Sequence, residues 1–241
     1  MSDVKDIVPR KPYPFETAPR NVDPFKAAIE SMHLGSRYFG AGRGTAHVGI
    51  DLFVHIRTPV QVPAEKAVLI GVTRSDSIAG ITMGNALVLF VPDEKQPYFL
   101  ALLHLDRKTF RVLREKNIGD ELSAEPGVSR IVAYTGNSAS GPIPHLHVTA
   151  GTRFQLAGKL YTAQEFMRMY KEKDLTAAFL RPLNPNGRSG VVSIKPPGNG
   201  IIKDKKGLLA AGYLDPEELM RKGLRFSTQP PKSREKLAPL R

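Results

Sequence analysis

AHVGIDLFV, residues 46–54, is the stretch on which the reading of this chain turns. With the period of two of a β-strand, it sets His47, Gly49 and Asp51 on one face and Val48, Ile50 and Leu52 on the other, one side polar and the other bound for a core. Gly49, between the two polar residues, removes the side chain that would stand where an ion and a substrate must approach. Five further stretches carry the same β-branched and apolar signature: AVLIGVTR (67–74), ALVLFV (86–91), FLALLHL (99–105), RIVAYTG (130–136) and HLHVT (145–149). The segments between them hold Pro, Gly, Asp and Asn, which favour hairpins over helical crossovers. The expectation is a mainly β protein with an antiparallel sheet or sandwich core and a few peripheral helices.

Outside this block the pattern changes. Residues 1–42 read as an N-terminal arm, Pro-rich and charged to about residue 22, followed by a short helix opening at Asp23-Pro24 with Phe25, Ala28, Ile29 and Met32 at helical spacing. Residues 43–155 are the β domain, and residues 156–226 a helical and loop extension. Within the extension, Thr162 to Glu165 form a capping box ahead of an apolar stripe of Phe166, Met169 and Tyr170. A second helix has Asp215 as N-cap, Pro216 at its first position and Gly223 past its end. The stretch 184–200 reads as loop, and the basic, proline-containing residues 227–241 as a disordered tail.

Composition narrows the function classes. Lys and Arg number 35 against 23 Asp and Glu, a formal charge of +12, which concentrates polyanions near the surface. No nucleic-acid motif accompanies that charge and Trp is absent, so a specific nucleic-acid partner is not expected. With no Cys, a metal site has to be built from His and carboxylates. No apolar run has the 18 residues of a membrane span, and the N-terminal residues lack the apolar core of a signal peptide. Oligomeric state is not legible.

The chain has six histidines. His33 and His55 read as ordinary polar residues, whereas the other four fall in patterned places: His47 with Asp51, His104 at a strand end, and His145 with His147 on one side of a strand. Three N or O ligands with one open position are the arrangement of a catalytic zinc. His47, Asp51 and one of the two paired histidines supply three. Zinc held this way lowers the pKa of its water to ~7, and with no HExxH glutamate in the chain, the remaining paired histidine and His104 are left to move protons and stabilise the oxyanion.

In their order, His47-Val48-Gly49-Ile50-Asp51, Leu103-His104-Leu105, and Thr135-Gly136 leading through Ser140-Gly141-Pro142 to His145-Leu146-His147, these motifs resemble the three signatures of the lysostaphin-type M23 metallopeptidases. The resemblance covers about residues 43–149. It implies one zinc per chain on His47, Asp51 and His147, with His145 and His104 as the catalytic pair. It also implies an antiparallel β core with an open groove, and cleavage of peptide stems or cross-bridges of peptidoglycan in the cell envelope or outside the cell, where anionic wall polymers would attract the basic surface. The alternative is a non-catalytic module of the same fold that binds wall or regulates another wall hydrolase. Four positions depart from the family pattern: Ile143-Pro144 intervenes before His145, Leu102 replaces a Tyr, Lys66 stands for a turn glycine, and no acidic residue follows HLH. Asn85 reads as a turn residue, and Arg43 and Lys66 as solvated charges.

Overall fold

The computed structural model describes residues 39–40, 46–53, 56–61, 64–73, 77–78, 81–82, 84–113, 116, 119–123, 131–136, 145–156, 159–172, 192–193, 202–222 and 224. Residues 1–38, with the Pro-rich stretch, the expected short helix and His33, lie outside the described residues, as do Arg43, His55, residues 137–144 with the Ile143-Pro144 insertion, Gly223 and the tail from 227.

All six strands read from the sequence are present: β1 (Ile50–Phe53), β3 (Lys66–Thr73), β6 (Ala86–Val91), β7 (Tyr98–Leu103), β9 (Ile131–Tyr134) and β10 (His145–Gly151). Shorter strands add β2 (Pro59–Gln61), β4 (Ser77–Ile78), β5 (Ile81–Thr82), β8 (Glu121–Ser123), β11 (Arg153–Leu156), β12 (Lys159–Thr162), β13 (Val192–Ser193) and β14 (Tyr213–Leu214). The protein is mainly β, and every pairing among the described residues is antiparallel. The main sheet runs β1-β10-β7-β6-β3-β8, with β14 also paired to β10. Residues 192–193 lie in the stretch read as loop, yet they pair with β11. Two residues give too little pattern to be read locally.

Both faces of the main sheet are covered, which is why β6 and β7 read as continuous apolar runs rather than alternating ones and why β10 is buried along its whole length. One face carries Leu69, Leu87, Leu89, Leu100, Leu102, Leu146 and Val148 into the larger core cluster. The other carries Val68, Ile70, Val88, Phe90, Phe99 and Leu103 towards Phe154 of β11 and Phe166. Phe90, Phe99, Phe154 and Phe166 stack with ring centroids 4.3–5.9 Å apart, a spacing at which aromatic pairs attract beyond their area burial.

Four short helices are described: α1 (Lys108–Val112), α2 (Ala163–Lys171), α3 (Lys205–Ala210) and α4 (Pro216–Arg221). The capping box of α2 forms as read, with the Thr162 hydroxyl accepting from Glu165 N and the Glu165 carboxylate accepting from Thr162 N. Ala163, Phe166 and Met167 are its buried residues, while Met169 and Tyr170 are half-buried against the same cluster. Asp215 caps α4 with Pro216 at its first position. Helix α3 has no counterpart in the sequence reading, although Asp204 caps it. Leu208, Tyr213, Leu219 and Leu224 join the larger core, and Lys205 forms an ion pair with Asp215. Among the described residues no helix is long and apolar enough to cross a membrane.

Burial of Tyr213 has a consequence in alkali. Its hydroxyl is pushed up to about 12 by desolvation, and burial raises Tyr98 in the same direction. A phenol whose folded value lies above its unfolded value near 10 contributes stability that is complete below pH ~10 and is lost as pH rises towards 12. Denaturant titrations should show the unfolding midpoint level up to pH ~10 and falling above it, and Tyr213→Phe should soften that fall.

Candidate metal centre

The site is assembled from three separated pieces of chain by the register of the sheet. Strands β1 and β10 are neighbours, with Asp51 opposite His147 and Phe53 opposite His145. On its other edge β10 places His147 opposite Leu103 and Thr149 opposite Ala101 of β7. Directly opposed residues share a face, so Asp51, His147 and Thr149 lie on the side of the sheet that carries Leu103 and Ala101, while Leu146 and Val148 enter the larger core. A slip of one residue in either pairing would turn the histidines into that core.

His47 reaches the site differently from its sequence reading. Strand β1 begins only at Ile50, and residues 48–49 form a bend. The approach to the site is set by Gly49: a Cβ at this position would stand 2.1 Å from the Val148 carbonyl oxygen, 2.8 Å from His147 Nε2 and 2.9 Å from Thr149 Oγ1. The glycine therefore lets the backbone lie directly on β10, which brings His47 Nε2 to 3.4 Å from Asp51 Oδ1. A hydrogen bond from Gly40 N to the His47 carbonyl, 2.8 Å, ties down the segment on the other side.

His104 stands just beyond the end of β7 with φ 64°, in the left-handed region that β-strand and helix residues avoid. Both flanks hold it there. Leu105 N donates to the Asn85 carbonyl at 3.0 Å, and Asn85 Nδ2 donates back to the Leu105 carbonyl at 2.8 Å. Asp106 N donates to the Tyr134 carbonyl, Leu105 bridges to Thr135, and Gly136 packs so closely that a Cβ would meet Asp106 N at 2.5 Å. Strained backbone persists where its surroundings over-determine it, commonly at functional sites. Asn85, read as a turn residue, is thus a buried clamp on this loop, and Thr135-Gly136 is its floor.

The result is a carboxylate facing three imidazoles. Asp51 is 1% exposed. Its Oδ1 lies 2.8 Å from His147 Nδ1, 3.4 Å from His47 Nε2 and 3.5 Å from His145 Nε2. Burial alone would raise the Asp51 carboxyl, but hydrogen bonding to His147 and His47 outweighs it and holds the group well below the usual carboxylate range. His104 stacks edge-on against His145, ring centroids 4.7 Å apart, and lies 6.0 Å from His147. His145 and His147 are buried, whereas His47 and His104 are part-exposed, so the open side of the cluster is theirs.

Ligand atoms of His47, Asp51 and His147 all lie within 4.8 Å of one another. Donors around a tetrahedral zinc at ~2.0–2.1 Å stand ~3.3 Å apart, so small side-chain movements would bring these three onto one ion. Two imidazoles and a carboxylate are also a donor set that zinc takes, and a buried ionised carboxylate calls for a positive partner. The residues fit the metal. All five positions singled out in the sequence, His47, Asp51, His104, His145 and His147, are brought together. The sequence reading passed over Thr149, whose hydroxyl lies 2.8 Å from His147 Nε2; a threonine in a strand looks like any β former.

No family model matches the chain, and no curated protein matches it either. Among solved structures it is similar to the catalytic domain of the antimicrobial peptidase lysostaphin from Staphylococcus simulans, at 20% identity and a TM-score of 0.37 over 56% of this chain and 90% of that one. The longer lysostaphin structure matches at 16% identity and a TM-score of 0.35, over 62% of this chain and 57% of the other. A mutant catalytic domain of a prophage-encoded M23 protein from Enterococcus faecalis matches at 21% identity and a TM-score of 0.30, over 66% of this chain and 91% of its own length. Lysostaphin and the catalytic domain of an M23 protein are thus among the solved structures to which this chain is similar, each at 21% identity or less.

Proposed function

We propose that this chain is a zinc-dependent endopeptidase acting on the peptide stems or cross-links of bacterial peptidoglycan. The observation that carries this reading is the buried Asp51 carboxylate with three imidazoles around a single oxygen. His47, Asp51 and His147 would hold one zinc per chain. Bound in such a set, zinc supplies a Lewis acid for the attacked carbonyl and water acidified towards neutrality.

The other groups belong to the chain itself. His145 borders Asp51 without being needed as a third ligand, and its ring meets that of His104. Imidazole, the group both carry, is suited to taking up and returning a proton, and His104 stands part-exposed on the side where substrate would enter. Their proposed roles are to relieve the attacking water of its proton and to donate to the developing oxyanion, then to the leaving amine. The positive surface, +12 overall, would hold the protein against anionic wall polymer in the envelope or outside the cell.

The test combines metal analysis with wall digestion. Wild type should carry about one zinc per chain and release peptides from purified peptidoglycan. Chelation should abolish release, and His145→Ala should reduce it by ~10²–10⁴-fold, the usual contribution of a positioned acid or base. Zinc far below one per chain, or digestion undiminished by chelator, would overturn the reading. Wall binding with no released peptide from zinc-loaded wild type would indicate the non-catalytic module instead.

A further inference from the structure

The His147 ring is gripped at both nitrogens. Nδ1 lies 2.8 Å from Asp51 Oδ1 and Nε2 lies 2.8 Å from Thr149 Oγ1. Thr149 follows two residues later on β10, so its side chain stands on the same face of the strand. It is 4% exposed. Gly49 lies across the contact: a Cβ there would fall within 2.9 Å of both Thr149 Oγ1 and His147 Nε2, so only a bare backbone fits beside the bond. His47 differs: its Nδ1 is buried with no hydrogen-bond partner among the described residues. Among the described residues, one of the two candidate imidazole ligands is therefore oriented through its outer nitrogen and the other is not.

We propose that Thr149 is the positioning residue for His147, setting which nitrogen of that ring presents its lone pair to the metal. This rests on the zinc reading given above. With zinc on Nδ1, the neutral ring must carry its proton on Nε2, and the Thr149 hydroxyl accepts it. Without zinc, Nδ1 can carry the proton towards Asp51, and the same hydroxyl rotates to donate to Nε2. A hydroxyl does both, whereas a carboxylate only accepts and a methyl does neither. The ring thus keeps one orientation with or without the ion, and only the position of its proton changes. Outer partners of this kind commonly govern metal affinity by 10–100-fold.

The experiment uses the full chain as wild type, Thr149→Val, Thr149→Ala and Thr149→Ser. Zinc affinity is measured by competition with a chromophoric chelator, and the His147 ring nitrogens are followed by NMR with and without zinc. The expected result is 10–100-fold weaker zinc binding for Val, an affinity for Ser within a few-fold of wild type, and a shifted His147 Nε2 resonance in Val with or without metal. The alanine variant serves if valine perturbs folding. Equal zinc affinity in wild type, Val and Ala, with unchanged Nε2 shifts, overturns the proposal. Should wild type take up no zinc, the functional reading fails by itself. The metal-free Nε2 resonance then decides the Thr149 contact: a shift in Val sustains it, and no shift refutes it.

Discussion

Asp51→Asn should lose both zinc and hydrolysis while keeping the fold. The amide preserves the volume of a side chain that is 1% exposed, but it removes the charge shared by His47, His145 and His147. A catalytic metal contributes several kcal/mol of charge stabilisation, so activity should fall by ~10³-fold or more at ~1.4 kcal/mol per decade. Circular dichroism should be unchanged and zinc stoichiometry near zero. Full zinc occupancy in Asp51→Asn would remove the carboxylate from the ligand set and with it the central geometry of the site.

The second large effect is expected at a position with no side chain. Gly49→Ala would place a methyl 2.1 Å from the Val148 carbonyl oxygen, and that oxygen belongs to a strand paired on both sides. Neither partner can yield cheaply. Overpacking of this kind costs about 3 kcal/mol, which for a chain of this size lowers Tm by roughly 6–12 °C. Zinc affinity should drop as well, because the same movement displaces His147 and Thr149. Gly207→Ala is the control: there the nearest atom is a methyl of the Ile202 side chain at 3.0 Å, and the change should lie within about 1 kcal/mol, since alanine also favours the helix. A Gly49→Ala protein as stable as wild type would show that the close approach of β1 to β10 is dispensable.

What could be read from the residues alone was whatever repeats within a few positions. Strands β6 and β7 announce themselves as apolar runs, and in β10 the alternation of His145, Leu146, His147 and Val148 assigns two histidines to one face without any knowledge of their neighbours. The same logic led to an error of detail at His47. Extending the alternation backwards through Gly49 makes His47 a strand residue, whereas the chain bends there because the glycine permits a contact with β10, a partner ninety-nine residues away. The left-handed turn at His104 was equally hidden. It is imposed by Asn85 and by Thr135-Gly136, and no local propensity calls for a histidine at positive φ. Pairings of two or three residues, such as β13 on β11, carry too little pattern to be seen, and Thr149 acquires its significance only from the ring beside it.

The late segment from Ile202 to Leu224 bears on how the molecule is made. It supplies β14 to the outer edge of β10, receives the amide of Ala46 on the Ile202 carbonyl, and lays Lys205 against Gly40 at the entry to His47. A chain emerging from the ribosome would therefore present the histidine strand with an incomplete edge until residues 202–224 had followed it. The cluster around Asp51 would then be completed only after that segment had been made, and a nascent fragment ending before residue 202 would hold its histidines on an unfinished sheet.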